Sequence, residues 1–243
     1  HDMAVTIIKE YQKRGKALSA FADWFSIDPP MPDGIYGDEK LVAGAYCNGG
    51  LLPLVGGELS RAAFDHGFEE YGVEQLLKYE QLTNNNETYL WYFPDGRKST
   101  VETSTSPDAS PTDGWGSSAM LYALFEGLAG IVDEGKLFQR VCVSPRWLAA
   151  GRSEALVCAT YGASGASFDY MFGHNESAKT IEMALTGRAA THLHVLLPRG
   201  TKSTEVTVGA KKLKFRNTKV EESSYVDVDV DLKKKAVVHI RYQ

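Results

Sequence analysis

The sequence predicts an α+β protein, with helices in the N-terminal half and an antiparallel β-sandwich in the rest. Apolar residues recur at intervals of three, four and seven in the first half, and at intervals of two from Leu137 onward. The charges divide in the same way: residues 1–135 carry 9 Lys/Arg and 21 Asp/Glu, whereas residues 136–243 carry 17 and 10. A change of period together with a change of charge balance indicates two domains. We place them at residues 4–135 and 136–243.

A first helix is predicted over residues 4–25, where apolar side chains such as Val5 and Ile8 form one stripe. The three residues before it, His-Asp-Met, resemble a remnant of cloning and are left out of the prediction. Three prolines and two glycines then follow in SIDPPMPDGIYG. They predict a long irregular loop, which is typical of functional segments and lids.

Three more helices are expected before the period changes. Pro53 fits the first turn of the second helix and Gly67 fits its C-terminal cap, while VEQLLKYEQLTNN predicts the third. NETYLWYFPDGRKS alternates around a Pro-Asp-Gly turn and predicts a small hairpin, and a long polar loop follows it. The last helix begins after DGWGSS and ends at about Asp133.

Short alternating segments separated by turn residues predict the strands of the sandwich. In YVDVDVDL the alternation is strict, which predicts valines inside and aspartates outside. A basic cluster is interpreted as the protected edge of a sheet. Its members are Lys211, Lys212, Lys214, Arg216 and Lys219. The predicted strands are FQRVCVS, ALVCATYG, ASFDYMFG, KTIEMALT, THLHVLLP, EVTVGAKKLKFR, SYVDVDVDL and AVVHIRYQ.

Several functional classes find no support in the sequence. No run reaches eighteen apolar residues, so no membrane span is expected, and the acidic first half argues against nucleic acid as a partner. The sequence has no phosphate-binding loop, dinucleotide fingerprint or zinc-protease motif, so we expect no cofactor. His192 and His194 share one strand face but lack a third ligand, so no metal is expected. The three cysteines are predicted to be buried free thiols.

Two stretches are candidates for binding or chemistry. In YCNGGLLPLVGGELSRAAF, Asn48 and two glycines make a sharp turn into a helix, so Asn48 either meets a hydroxyl or carboxylate ligand or caps the helix. In VETSTSPDASPTDGWGSS, three carboxyl groups, of Glu102, Asp108 and Asp113, lie close in sequence to Trp115. Paired carboxylates beside an aromatic platform suit sugar hydrolysis. The alternative is that Asp113 caps the helix and Trp115 packs in the core.

The order of these stretches resembles the C-terminal end of the six-hairpin glycosidases, whose catalytic domain is an (α/α)6 toroid. YCNGGLLPLVGGELSRAAFDHG is similar to the segment in which an aromatic-x-Asn-Gly motif leads into an inner helix, and DGWGSSAMLYALFEGLAGI is similar to the final helix. LFQRVCVSPRW followed by a β-sandwich resembles the C-terminal region of the α-L-rhamnosidase-like members. The resemblance implies a partial toroid followed by the sandwich.

The resemblance also implies a glycoside hydrolase-like function that acts on or binds carbohydrate. In such a toroid, the loops at the open end line the substrate site. Glu102 and Asp113 lie in the loop before the final helix, so the resemblance implies them as catalytic residues. Substrate-binding roles fall to Asn48, Trp115, Tyr46 and Glu58. A non-catalytic carbohydrate-binding module and a protein-interaction module derived from such an enzyme are the alternatives.

Four predicted helices make only part of a toroid, which has about a dozen. A partial ring leaves apolar helix faces uncovered, and such faces need a covering surface. We therefore expect a homo-oligomer, or another chain, over the open helical face.

Overall fold

The computed structural model describes residues 1–35, 41–83, 87–103 and 114–243, and in these ranges the first half of the chain forms four α-helices. The helices are Asp2–Leu18 (α1), Pro53–Asp65 (α2), Glu69–Leu82 (α3) and Trp115–Tyr122 (α4).

The first helix starts earlier and ends earlier than its apolar stripe predicts. It begins at Asp2, within the three residues left out of the prediction, and it ends at Leu18, because the next residue, Ser19, is left-handed with a φ of 50°. Beyond it, Phe25 forms a β-bridge with Leu51 and the backbone N–H of Leu52 donates to the Trp24 carbonyl. The predicted last turns of the helix are therefore extended, because their backbone groups pair with the segment that precedes α2.

The second helix follows the prediction at both ends. Pro53 is its first residue, where a missing N–H costs nothing, and Gly67 follows it with a φ of 79°. The ring Nδ1 of His66 donates to the Ala62 carbonyl at 2.8 Å, so this imidazole satisfies one of the free carbonyl groups at the helix end.

The predicted hairpin is present as isolated bridges and not as full strands. Tyr92 pairs with Leu51 on one side and with Lys98 on the other, and the Phe93 N–H donates to the Arg97 carbonyl across the turn. The last predicted helix is divided. Its α-helical part ends at Tyr122, a π-helical turn spans Ala123–Leu128, and a strand follows.

Two sheets form the second half. Their strands are Ile131–Asp133 (β1), Arg140–Val143 (β2), Glu154–Thr160 (β3), Ser167–Asn175 (β4), Thr180–Thr186 (β5), Ala189–Leu196 (β6), Ser203–Val208 (β7), Lys211–Lys212 (β8), Phe215–Val220 (β9), Ser223–Leu232 (β10) and Lys235–Tyr242 (β11). The five-stranded sheet has the order β1-β2-β6-β10-β9, in which β2 and β6 are parallel and the other pairs antiparallel. The six-stranded sheet has the order β3-β4-β5-β11-β7-β8 and is antiparallel throughout.

The inner faces of both sheets share one hydrophobic core, which is the arrangement of a sandwich. Leu193 and Val226 reach it from the five-stranded sheet, and Phe168, Ile181 and Ile240 reach it from the six-stranded sheet. Each of the eight predicted strand segments contains a strand. Strand β1 was not predicted, since its residues were assigned to the end of the last helix.

The outer face of the five-stranded sheet carries a charged network that the alternation rule misses. Asp227 is only 7% exposed, although it lies on the face predicted to be open to solvent. His194 Nδ1 donates to its Oδ1 at 2.5 Å and Arg216 donates to its Oδ2 at 3.2 Å. Burial lowers the pKa of the His194 imidazole, against the opposing effect of the Asp227 carboxylate. His192 is paired with Asp229 on the neighbouring strand, two residues along from the pair of His194 and Asp227, and it donates to Asp229 at 2.8 Å. Both histidines therefore have carboxylate partners within the sheet.

A short segment around Glu69 belongs to the same unit as the sandwich and continues its buried polar network. Glu69 is 5% exposed and accepts a hydrogen bond from Ser223 Oγ at 2.6 Å and another from the Tyr225 hydroxyl. The chain divides into two compact units. One consists of His1–His66 and Glu70–Leu124, and the other of Gly67–Glu69 and Phe125–Gln243.

The prediction of buried thiols is wrong for two of the three cysteines. All three are free, but Cys47 and Cys158 are exposed and Cys142 is partly buried. Cys158 lies in β3, an edge strand, on the face that points away from the core. Flanking apolar residues therefore did not indicate burial, because a strand turns alternate residues outward.

Candidate functional site

Helices α2 and α4 approach closely because glycines line their contact. A Cβ at Gly57 would lie 2.5 Å from the Ala119 carbonyl oxygen, and a Cβ at Gly116 would lie 2.5 Å from Pro53 Cβ. Both distances are far below van der Waals contact, so only glycine fits at these positions. Because Pro53 meets Gly116 and Gly57 meets Ala119, the two helices run parallel and begin at the same end.

Trp115 is the first residue of α4 and lies at this shared end. Its side chain is 70% exposed, so it does not pack in a core. Gly114 and Gly116 flank it, and the backbone at Gly116 passes beside Pro53 and Leu54 of α2. A large aromatic face is thus held open to solvent on a fixed backbone, which is what stacking on a sugar ring requires.

Asn48 supports the loop that leads into α2. The residue is fully buried, and its Oδ1 accepts from the Met31 N–H at 2.7 Å. Its Nδ2 donates to the carbonyl groups of Met31 at 3.1 Å and Leu41 at 3.0 Å. Both amide protons are therefore committed to the backbone of the preceding loop, and Asn48 acts on the shape of that loop.

Tyr46 lies on the same loop and belongs to an aromatic cluster. Its backbone is left-handed, with a φ of 41°, and its ring centre is 6.5 Å from that of Trp91. Trp91 in turn meets Phe93 edge-on at 4.7 Å. The phenol is partly exposed, so the cluster holds it in place at the edge of the loop.

Glu58 lies on the exposed side of α2, one turn beyond Leu54. Its Oε2 is 3.7 Å from Arg61 Nη1, and the Arg61 guanidinium lies 4.4 Å above the Tyr122 ring of α4. Glu58 is therefore linked through Arg61 to Tyr122, which is the last residue of α4, at the opposite end from Trp115.

The predicted catalytic pair lies partly outside the described residues. Glu102 is exposed in the turn 101–103, which the Thr103 hydroxyl stabilises by accepting from the Thr100 N–H at 2.8 Å. Asp108 and Asp113 fall outside the described ranges.

Asp23 is a candidate functional residue that sequence reasoning missed. It is 8% exposed, and the Tyr71 hydroxyl donates to its Oδ2 at 2.8 Å. Burial raises the pKa of its carboxyl above the usual range, and burial together with Asp23 raises the pKa of Tyr71. A carboxyl with a raised pKa beside a cleft marks functional sites more often than chance. The available signal was an acid within the apolar run AFADWF.

Asp23 faces an open cleft of about 490 Å³ in the helical unit. Lysine and glutamate side chains form much of its wall. Gly15 lies against the Asp23 carboxyl, which a side chain at this position would displace. The lining residues are Gln12, Gly15, Lys16, Ser19, Ala20, Asp23, Glu70, Tyr71, Glu74 and Lys78.

Among the described residues, no group of three or more His, Cys, Asp or Glu side chains could hold a metal ion. Over the same part of the chain, no helix has the length and apolar character that a membrane crossing needs.

Comparison with known proteins supports the fold. No family model matches the chain, and neither does any curated protein. The α-L-rhamnosidase from Dictyoglumus thermophilum aligns with a TM-score of 0.51 and 11% identity, over 86% of this chain and 22% of that one. The α-L-rhamnosidase of Streptomyces avermitilis complexed with L-rhamnose gives 0.45 and 12%, over 87% and 20%. A GH127 β-L-arabinofuranosidase from Geobacillus stearothermophilus T6 gives 0.35 and 12%, over 80% and 32%.

The first of these likenesses shows a glycosidase-like fold. At 11% identity it shows the fold alone, and the chain spans about a fifth of the rhamnosidase structures it resembles, 22% and 20% of their lengths. The α+β class predicted from the sequence is confirmed, whereas the partial toroid stays a prediction.

Proposed function

We propose that this chain is a glycoside hydrolase-like protein that binds carbohydrate at the shared beginning of α2 and α4, with Trp115 as the platform for a sugar ring. The observation that carries the proposal is the 70% exposure of Trp115 on a backbone fixed by close helix packing. The flat apolar face of an exposed indole is what a pyranose ring stacks on. The glycosidase-like fold supports the same ligand class.

The other predicted residues take different parts in this proposal. Tyr46 and Glu58 are the proposed polar contacts of the same ligand, and Asn48 fixes the loop that carries Tyr46. Glu102 and Asp113 remain the proposed acid and base of hydrolysis, since that reaction needs two carboxyl groups on either side of the bond.

The first experiment measures binding to a glycan array and to soluble sugars, with the wild type and Trp115→Ala. Stacking that removes roughly 100 Å² of indole surface from water is worth about 2.5 kcal/mol at most, so we expect affinity to fall by about tenfold, and by no more than roughly seventyfold. Leu77→Ala is the matched control, because it removes another exposed apolar side chain, from α3. Equal binding by the wild type and Trp115→Ala would refute the platform.

Hydrolysis of aryl glycosides separates the enzyme from the non-catalytic alternative. If the chain is an enzyme, Glu102→Gln and Asp113→Asn each lower turnover by at least a hundredfold while leaving sugar binding intact. Binding without turnover in the wild type would favour a non-catalytic carbohydrate-binding module.

Exposed apolar side chains on and just after α4 support the proposal that a second copy or another chain covers this face. Leu121 is 63% exposed, and Tyr122 and Leu124 are exposed beside it. Light scattering tests the homo-oligomer directly. A concentration-independent monomer leaves only the second possibility, a different chain.

A further inference from the structure

Contacts with Gly15 and Tyr71 fix the Asp23 carboxyl at the base of the cleft. Gly15 has no side chain, and a Cβ there would overlap Asp23 Oδ1, so the carboxyl lies directly against the backbone of α1. Tyr71 holds the other oxygen, Oδ2, at 2.8 Å. No hydrogen bond from the described residues reaches Oδ1. This oxygen of a largely buried carboxyl therefore has acceptor capacity left, and Asp23 lines the cleft.

The charges of the wall select the class of ligand. Two ammonium groups, of Lys16 and Lys78, share the lining with three carboxyl groups. Lys78 Nζ lies 2.8 Å from Glu74 Oε1, so one of these charges is already paired. An anion would meet the carboxyl groups, and a cation would meet the ammonium groups. A neutral ligand whose hydroxyl groups both donate and accept can satisfy this wall without bringing a charge into it.

We propose that this cleft binds a small neutral polyhydroxyl ligand, a sugar or a polyol, with one hydroxyl donating to Asp23 Oδ1 and a neighbouring hydroxyl accepting from Lys16 or Lys78. The cleft volume of about 490 Å³ is within the range of small-molecule sites. The site is separate from the Trp115 surface and does not depend on it.

The test follows backbone amide shifts by NMR while L-rhamnose, D-glucose and myo-inositol are titrated separately. Butylammonium and acetate serve as charged probes. We expect at least one neutral compound to saturate, with the largest shifts at Gly15, Asp23 and Tyr71. Asp23→Asn keeps the shape of the side chain and lowers affinity about tenfold, because a neutral amide oxygen accepts more weakly than a carboxylate. Lys16→Met, on the rim, lowers it as well.

Glu80→Gln is the matched control, since Glu80 is an exposed carboxyl of α3 outside the cleft lining, and we expect its affinity to equal that of the wild type. Circular dichroism verifies that each variant is folded. The proposal fails if no neutral probe saturates, if a charged probe binds in preference, or if Asp23→Asn binds as the wild type does. Binding lost in Trp115→Ala but kept in Asp23→Asn also overturns it, while leaving the Trp115 platform in place. The reverse result, binding kept in Trp115→Ala and lost in Asp23→Asn, supports the cleft.

Discussion

Gly57→Ala tests the close helix contact on which the Trp115 surface depends. The added Cβ would lie 2.5 Å from the Ala119 carbonyl oxygen and 2.6 Å from Ala119 Cβ, whereas ordinary contact begins at 3.4 Å. The oxygen belongs to the backbone and cannot rotate away. The helices must therefore separate by about 1 Å, and every contact along their interface lengthens.

Two opposing effects set the magnitude. Alanine is a better helix former than glycine by about 1 kcal/mol, which favours the variant. Overpacking typically costs about 1–3 kcal/mol, and a rigid backbone neighbour places Gly57 at the upper end. We therefore expect the free energy of unfolding to fall by about 2 kcal/mol, or the melting temperature by about 5 °C.

Thermal and urea unfolding followed at 222 nm measure the change. Ala62→Gly is the matched control, because Ala62 is half-buried on the same helix and isolates the propensity effect of about 1 kcal/mol. Gly57→Ala should also weaken sugar binding, since Trp115 moves with α4. A Gly57→Ala protein at least as stable as the wild type would refute close packing as the reason for these glycines.

Three further predictions concern other parts of the molecule. Because burial raises the pKa of Asp23, the folded state keeps this proton to higher pH than the unfolded chain does, and stability falls as pH rises from the ordinary to the raised pKa. Asp23→Asn lacks this dependence, so the unfolding free energy of the wild type, measured in urea titrations, must fall relative to that of Asp23→Asn over this pH interval. A difference between the two proteins that stays constant with pH would contradict the prediction. Tyr225→Phe leaves the buried Glu69 with one donor fewer and should cost about 1–3 kcal/mol in urea unfolding, whereas under about 0.5 kcal/mol would be inconsistent with the hydrogen bond. The thiols of Cys47 and Cys158 should react with DTNB well before the remaining thiol, and three equal rates would contradict their exposure.

Much of the fold was predictable because period and turn chemistry agree along the chain. The strand segments are short and bounded by Gly, Pro, Asn or Ser, and each carries an alternation that a helix would not tolerate. Pro53 marked the start of α2 for a local reason, which is that the first helical N–H needs no partner. The misses have non-local causes. The predicted helix 4–25 ends early because residues near Trp24 pair with a segment almost thirty positions later, and no local pattern reports that pairing.

The candidate site was predictable only as residue types. For Trp115 the sequence left a sugar platform and a place in the core as alternatives, and the exposure of its side chain excludes the second. It offered ligand contact or helix capping for Asn48, and the side chain does a third thing, which is to tie down the loop around Met31. Asp23 escaped notice because an acid in an apolar run has no motif. Its significance comes from Gly15 and Tyr71, which only the folded chain brings to it.

The packing and binding interpretations of the DGWGSS turn do not compete. Gly116 allows the start of α4 to touch Pro53, and that contact leaves no room between the helices for a side chain as large as indole. The residue before Gly116 must then project outward, and the 70% exposure of Trp115 is the result. The close packing at Gly116 thus fixes both the position and the exposure of Trp115. Gly116→Ala would therefore loosen the helices and displace Trp115 together, whereas Trp115→Ala removes the indole from helices that stay packed.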